Sequence, residues 1–380
     1  MSNTEVFGWK FSKFINNKNY DFNRDKILDV CGEDNVIDAY DLISGWQNYS
    51  PTPLVKLNKL SKKFNLNNIF YKDESKRFHL KSFKALGGAY AVQKITKGNK
   101  SITVATATAG NHGRSVSWGA QRLGLNCKIF ISEFVSEARA DVMRNLGADV
   151  IRVKGNYEAS LKECIKQSKI NGWEIIQDVA WEGYEEVPKL TMAGYSVMIK
   201  EISNQTDQYI THVFLQAGVG GMASGAIAGI AKYFKRIPKI IVVEPDTADC
   251  VLQSVEVGEM KKIDIKKESI LGGMSCGEVS LVPWRILKHA VNNCISITDE
   301  NIAQTIAMLK EKYFSNEPII GGECATPGII SLIAATENKN IKDKLELNEK
   351  SNVLIMGCEG DADENLYKKL LNEGIKQLML

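Results

Sequence analysis

Ser82-Phe83-Lys84-Ala85-Leu86-Gly87-Gly88-Ala89-Tyr90 is the stretch around which this chain is organised. Just before it, Ile69-Phe70-Tyr71-Lys72-Asp73-Glu74-Ser75 is a short apolar run ending in polar residues, the pattern of a strand. After it, Ala89-Tyr90-Ala91-Val92 opens a helical pattern, so Lys84 is expected at a strand-to-helix turn, near the helix N-terminus. A cation gains little from the dipole at that end of a helix. The expectation is a lysine of lowered pKa, holding the neutral amine that a Schiff-base nucleophile needs. An ordinary surface lysine is the commoner outcome for such a stretch taken alone. The rest of the chain decides.

Working outward, strand-like and helix-like patterns alternate. Ile102–Thr106, Cys127–Ile131, Val150–Val153 and Glu174–Ile176 read as strands, separated by helical patterns at His112–Leu123, Ala138–Leu146 and Tyr157–Ile170. A helix is expected from about Pro188 to Ile202, then buried strands at His212–Leu215, Ile240–Val243 and Val353–Met356. Short apolar runs alternating with helices imply an α/β fold, with parallel sheets covered by helices on both faces. The polar segment up to about Ser50 is expected to lie across the surface or at a subunit contact. Pro51-Thr52-Pro53-Leu54 is rigid turn chemistry leading into the first apolar elements.

Ligands of such sheets bind at the carboxyl ends of the strands, and four segments there carry possible chemistry. Thr106-Ala107-Thr108-Ala109-Gly110-Asn111-His112-Gly113 has small residues for close backbone approach, and Asn111 offers both a donor and an acceptor. Gln216-Ala217-Gly218-Val219-Gly220-Gly221-Met222 precedes a helix, and its backbone N–H groups can cradle a phosphate. It lacks a P-loop lysine and the spacing of a dinucleotide fingerprint. Gln177-Asp178-Val179-Ala180-Trp181 puts a carboxylate at a strand end, where Asp178 could bind an amino group or simply cap a turn. Gly357-Cys358-Glu359-Gly360-Asp361 follows the last strand, and a cysteine there is more often a small buried hydrophobe than a functional thiol.

Composition excludes other classes. The chain has 380 residues, 44% of them hydrophobic and 24% charged, with a net charge of +3, which gives no electrostatic footprint for nucleic acid or anionic membrane. Its length suits two domains, or one large domain with a smaller one inserted. No run approaches the roughly 18 apolar residues of a membrane span, and Met1–Lys18 lacks a signal-peptide core. The eight cysteines are scattered without a CxxC pair and the four histidines are dispersed, so neither a disulfide framework nor a metal site is expected. The chain reads as cytoplasmic.

A lysine, an asparagine loop, a phosphate cradle and a polar strand end together match what pyridoxal phosphate requires of a protein. At these positions the sequence resembles the fold-type II enzymes that use this cofactor, and among them the diaminopropionate ammonia-lyases. The resemblance is carried by Pro51-Thr52-Pro53-Leu54, Lys72-Asp73-Glu74-Ser75-Lys76-Arg77-Phe78, Phe83-Lys84, Gly110-Asn111-His112-Gly113-Arg114, Asp178 with Ala180-Trp181-Glu182-Gly183-Tyr184, Gln216-Ala217-Gly218-Val219-Gly220, Cys276-Gly277-Glu278 and Glu359-Gly360-Asp361. It implies the two-domain architecture of the tryptophan synthase β type. Residues 1–88 and 195–380 would form the large cofactor-binding domain and 89–194 the smaller α/β domain, with the site in the cleft between them.

The resemblance also implies roles. Lys84 would carry the cofactor as a Schiff base and, once released by substrate, take the Cα proton. Phe83 would pack near the ring, Asn111 would bond its hydroxyl, and Gly218, Val219, Gly220, Gly221 and Met222 would bind the phosphate. Cys358 stands where the family has Ser or Thr beside the pyridine nitrogen; a neutral partner there weakens the ring as an electron sink, which suits β-elimination. Asp178 would act with Lys84 or orient the substrate. Thr108, Ala109, Ser275 and Cys276 would line the substrate pocket. Ala109 replaces the aspartate that serves the family as base for the D-isomer and cannot accept a proton. Ser275-Cys276-Gly277-Glu278-Val279-Ser280 and Glu323-Cys324-Ala325-Thr326 also depart from the family's runs.

The expected activity is α,β-elimination from a β-substituted amino acid, foremost the L-isomer of 2,3-diaminopropionate, giving pyruvate and ammonia. A serine or threonine dehydratase, or a β-replacement synthase, is the alternative. A non-catalytic pyridoxal phosphate carrier is a further one. The amino acid substrate is the expected partner, with no nucleic acid and no membrane. Family members are usually homodimers, which implies the same assembly here.

Overall fold

Alternating apolar runs and helices build two open sheets. The computed structural model describes residues 7–108 and 110–379. The larger sheet comprises β1 (Lys13–Asn16), β2 (Leu54–Lys56), β3 (Asn68–Asp73), β8 (His212–Gln216), β9 (Lys239–Pro245), β10 (Asn293–Ile297) and β11 (Asn352–Gly357). Their order is β1-β10-β9-β8-β11-β3-β2. The five inner strands run parallel, while β1 and β2 close the edges antiparallel. The smaller sheet is wholly parallel, in the order β6-β5-β4-β7, from β4 (Thr103–Ala107), β5 (Asn126–Ser132), β6 (Asp149–Val153) and β7 (Glu174–Ile175). Strands β8, β10 and β11 are buried at every position, as parallel strands covered on both faces must be.

The strands of the smaller sheet all lie within residues 103–175 and those of the larger sheet outside that interval. The expected domain boundaries at 88/89 and 194/195 fall inside the helices Lys84–Thr96 and Glu186–Gln205. These two helices pack directly together. A Cβ on Gly87 would meet Tyr195 Cε1 at 2.4 Å, and one on Gly88 would meet Ser115 Oγ at 2.4 Å. The pair of glycines lets the helix carrying Lys84 lie against its neighbours at backbone distance, and no larger residue fits.

The N-terminal segment differs from expectation. Rather than lying across the surface, it supplies the edge strand β1 and two helices, Arg24–Cys31 and Glu33–Ser44. Ile27, Leu28, Cys31, Val36, Ala39 and Ile43 are buried in the main core. The apolar spacing of Val36, Ala39 and Ile43 is helical, but polar intervening residues dilute the segment's average. Strand β10 was not anticipated either. Its buried Asn293 and Ser296 break the apolar run, and Asn293 donates to Asn16 Oδ1 across the strand pair.

A buried ionic cluster ties β3 to the helix Glu186–Gln205. Lys72 Nζ lies 2.6 Å from Glu201, and Arg77 bonds both Glu201 oxygens and both Glu74 oxygens. Thr52, from the Pro-Thr-Pro turn, donates to Glu74 at 2.6 Å. The Lys72-to-Phe78 run and the Pro-Thr-Pro turn are thus parts of one structural unit behind the site.

Candidate active site

Strand carboxyl ends from both sheets face one cavity of about 280 Å³, which adjoins a narrower one of about 80 Å³. From β3, the chain passes through a short 3-10 turn and pairs Ser82 with Glu359 in a single antiparallel bridge. The Phe83 amide donates to the Cys358 carbonyl at 3.0 Å, which fixes Lys84 as the first residue of its helix. Ser115 Oγ donates to the Lys84 carbonyl at 2.6 Å, holding that turn from the other side.

Asp178 reaches the same place from β7 of the smaller sheet. Its loop is braced: the Gln177 amide donates to Tyr184 Oη, Tyr184 Oη donates to the Ile175 carbonyl, and the Trp181 and Tyr184 rings stack at 4.1 Å. The Ala180 amide is held by Ser280 Oγ at 2.8 Å. Asp178 Oδ2 consequently stands 2.5 Å from Lys84 Nζ and 3.6 Å from His112 Nδ1.

The electrostatics correct the expectation for Lys84. A lowered pKa was expected from the helix N-terminus; burial acts in that direction, but the Asp178 carboxylate, with Tyr195, more than reverses it and raises the ammonium above its usual range. Burial alone would raise the Asp178 carboxyl, and the charge and hydrogen bond of the Lys84 ammonium hold it well below the usual carboxylate range instead. The pair is therefore ionic, with Lys84 a quarter exposed and open to the cavity.

The asparagine loop and the last strand end meet across the cavity. Asn111 Nδ2 donates to Glu359 Oε2 at 2.7 Å, and the Cys324 amide bonds Glu359 Oε1 at 3.2 Å. Cys358 is buried, and its thiol donates to the Cys324 carbonyl at 3.1 Å. Glu323, Cys324 and Glu359 bring their ligand atoms within 4.8 Å of one another. Burial first, and Glu359 second, push the Glu323 carboxyl up to about 8. Neither Glu323 nor Glu359 had been assigned a role from sequence. Their signal was position alone, each beside a segment already singled out, and only folding brings the two segments together.

Gly218, Val219, Gly220, Gly221 and Met222 line the narrow cavity with Phe83, Lys84, Asn111 and Cys358. They lead into the helix Gly221–Tyr233, whose first amides have no partner within the helix. Gly220 has φ +94°, and a Cβ there would meet Leu287 Cδ1 at 2.6 Å. A Cβ on Gly218 would come within 3.0 Å of Cys276 Sγ and of the Gly273 carbonyl oxygen. Gln216 Oε1, buried and lining the same cavity, has no hydrogen-bond partner. A glycine-built loop whose backbone amides head a helix, with an orphaned buried acceptor and the Lys84 amine lining the same cavity, fits a phosphorylated pyridine aldehyde.

The other expected residues distribute unevenly. Phe83 packs edge-on to Tyr195 at 4.7 Å between ring centres. Thr108 lines the larger cavity, but its Oγ1 accepts from the Gly110 and Gly113 amides and so shapes the loop. Cys276 lines that cavity, and burial pushes its thiol up to about 11. Ser275 does not line either cavity; its hydroxyl turns outward to Glu268 at 2.5 Å. Ala109 lies outside the described residues.

Comparison with known proteins agrees with this geometry. The family of pyridoxal-phosphate dependent enzymes matches residues 46–359, and the chain belongs to it. Within the family it is similar to the diaminopropionate ammonia-lyase of Escherichia coli strain K12, 36% identical over 352 residues that cover 86% of this chain and 88% of that one. The crystal structure of the Escherichia coli enzyme with an aminoacrylate–PLP azomethine reaction intermediate superposes with a TM-score of 0.87 at 33% identity, covering 96% of this chain and 98% of that one. A threonine deaminase isoform from Solanum lycopersicum shares the fold, with a TM-score of 0.78 at 20% identity over 95% of this chain and 97% of that one. These neighbours place the chain among the fold-type II enzymes. Among the described residues, no helix is long and apolar enough to cross a membrane.

Proposed function

We propose that this enzyme eliminates the β-amino group of 2,3-diaminopropionate, with preference for the L-isomer, to give pyruvate and ammonia. The observation that carries the reading is the Asp178 carboxylate held against Lys84 at the cavity floor. An anionic group at that point suits a substrate with a second, cationic nitrogen better than one with a hydroxyl leaving group.

Lys84 would bind the cofactor aldehyde, the Gly218–Met222 amides its phosphate, Asn111 its ring hydroxyl, and the Cys358 thiol would stand by its ring nitrogen. When bound, the cofactor supplies an electron sink for the pair left at Cα by deprotonation. Lys84 moves the proton: as a neutral amine it takes the one on Cα, and Asp178 then balances the ammonium it becomes. Asp178 also orients the β-nitrogen, while Phe83 and Tyr195 exclude water from one side. The site lies between the two sheets. The division proposed for the chain is 1–88 with 195–380 against 89–194, the two shared helices forming its seam. A cytoplasmic homodimer completes the reading, and sedimentation equilibrium tests the assembly.

The decisive assay is release of 2-oxo acid by the purified, cofactor-loaded enzyme from L- and D-diaminopropionate, L- and D-serine and L-threonine, each given separately. Rapid pyruvate release from L-diaminopropionate, with little from the D-isomer or from serine, supports the proposal. Turnover of serine or threonine in its place makes the enzyme a dehydratase. Ala109→Asp is expected to add activity on the D-isomer, by restoring a base on that side.

A further inference from the structure

His112 takes no part in the reading above, yet it is a buried titratable group beside Asp178. The side chain is 5% exposed, on the first turn of the helix Asn111–Leu123. Its Nε2 lies 2.8 Å from the Ile176 carbonyl oxygen. A carbonyl only accepts, so Nε2 carries the hydrogen and the neutral ring turns the lone pair of Nδ1 outward. That Nδ1 stands 3.6 Å from Asp178 Oδ2 and has no hydrogen-bond partner.

An imidazole lone pair facing a carboxylate in a buried site is unfavourable unless a proton or a cation compensates. The Lys84 ammonium, on the same Asp178 oxygen, is that cation. The charged groups facing the ring are Asp178, from the loop after β7, and Lys84, from its own helix; burial and Lys84 lower the imidazole's pKa, and Asp178 raises it. The balance therefore turns on the charge of Lys84.

We propose that His112 is a second proton site for Asp178, whose Nδ1 takes up a proton when Lys84 ceases to be an ammonium and returns it through Asp178 when Lys84 becomes one again. The role rests on the elimination reading and closes its proton balance. Lys84 receives the Cα proton. The β-ammonium of the bound substrate lends one proton through Asp178 Oδ2 to Nδ1 and takes it back as it receives the bonding pair of the breaking C–N bond, so that it leaves as neutral ammonia. The Cα proton stays on Lys84, the proton on Nδ1 is borrowed and returned, and no oxidant or reductant is involved. His112 acts through Asp178 and is a positioning residue.

The test is the ring nitrogen signal of His112 by NMR in histidine-labelled protein, assigned with His112→Gln. Four samples are compared over about pH 5–9: wild type without and with pyridoxal phosphate, Lys84→Ala, and Lys84→Ala with Asp178→Asn. In wild type without the cofactor the ring is expected as the neutral Nε2–H tautomer. Cofactor loading and Lys84→Ala should each raise its midpoint by about one pH unit or more, and Asp178→Asn should abolish the rise. A midpoint unmoved by both cofactor loading and Lys84→Ala overturns the proposal, and loading alone decides if the variant fails to fold. Because the readout needs no substrate, a raised midpoint with no pyruvate release removes the elimination reading and keeps the proton site.

Discussion

Lys84 owes its charge to Asp178, which lies 94 residues further along the chain. Two outcomes follow at this scale. Lys84→Ala should remove the lysine-bound cofactor absorbance and lower pyruvate release by about 10³-fold or more, since the proposed anchor and base are both lost. Retained turnover would mean that another group takes the Cα proton. At Glu323 the sign of the pH effect is fixed by a carboxyl raised in the folded state to about 8, against an unfolded value of about 4.3. Between these values the folded protein binds more protons than the unfolded chain, so this group's contribution to stability falls as pH rises and levels off above about 8. Glu323→Gln should therefore raise the melting temperature at pH 8 relative to wild type and change it little at pH 4. Parallel melting curves at both pH values would contradict the assigned environment.

Elements hold these residues in place through contacts that tolerate little change. Gly220 sits at a positive φ just before its helix, with Leu287 against the space where a Cβ would go. Gly220→Ala costs about 1–3 kcal/mol of local strain, and a spectroscopic titration should show cofactor affinity reduced about 10-fold or more. Glu201 faces two buried cations, Lys72 and Arg77, which anchor β3 to the helix behind the site. Glu201→Ala leaves Lys72 without its carboxylate and Arg77 with Glu74 alone, and should destabilise the protein by about 3–5 kcal/mol in urea unfolding. A loss below about 1 kcal/mol, the range of surface pairs, would show that water or another carboxylate takes its place. The glycines at 87 and 88 act at the same scale, setting how closely the lysine's helix approaches its neighbours.

Over the whole molecule, the site exists because two sheets direct their strand ends at one another. Lys84, Glu359 and the Gly218–Met222 loop come from the larger sheet's side, and Asn111 and Asp178 from the smaller one's. A ligand that touches both should stabilise them together. Pyridoxal phosphate at about 100 times its dissociation constant is worth about 2.7 kcal/mol, and the melting of both sheets, followed by hydrogen exchange, should shift upward in concert. A shift confined to strands β4–β7 would show that the cofactor is held by the smaller sheet alone.

Much of this was legible in the sequence, because parallel strands buried on both faces leave contiguous apolar runs and because a tight strand-to-helix loop needs glycines where side chains would clash. The strands β3, β4, β5, β8, β9 and β11 announce themselves in this way, β6 does so by its β-branched residues alone, and Lys84, Asn111 and the Gly218–Met222 loop, singled out in the sequence, do line one cavity. Strand β10 and the N-terminal helices did not, since polar residues that find partners only in the folded chain interrupt their patterns. Residue types and strand ends also could not give the charge of Lys84, the pairing of Asn111 with Glu359, the outward turn of Ser275 or the lone pair of His112 facing Asp178. Those are matters of distances between segments remote in sequence, and electrostatic energies in a buried cleft change steeply with distance. The sequence determined which groups are available; the packing of the two sheets decided which of them meet.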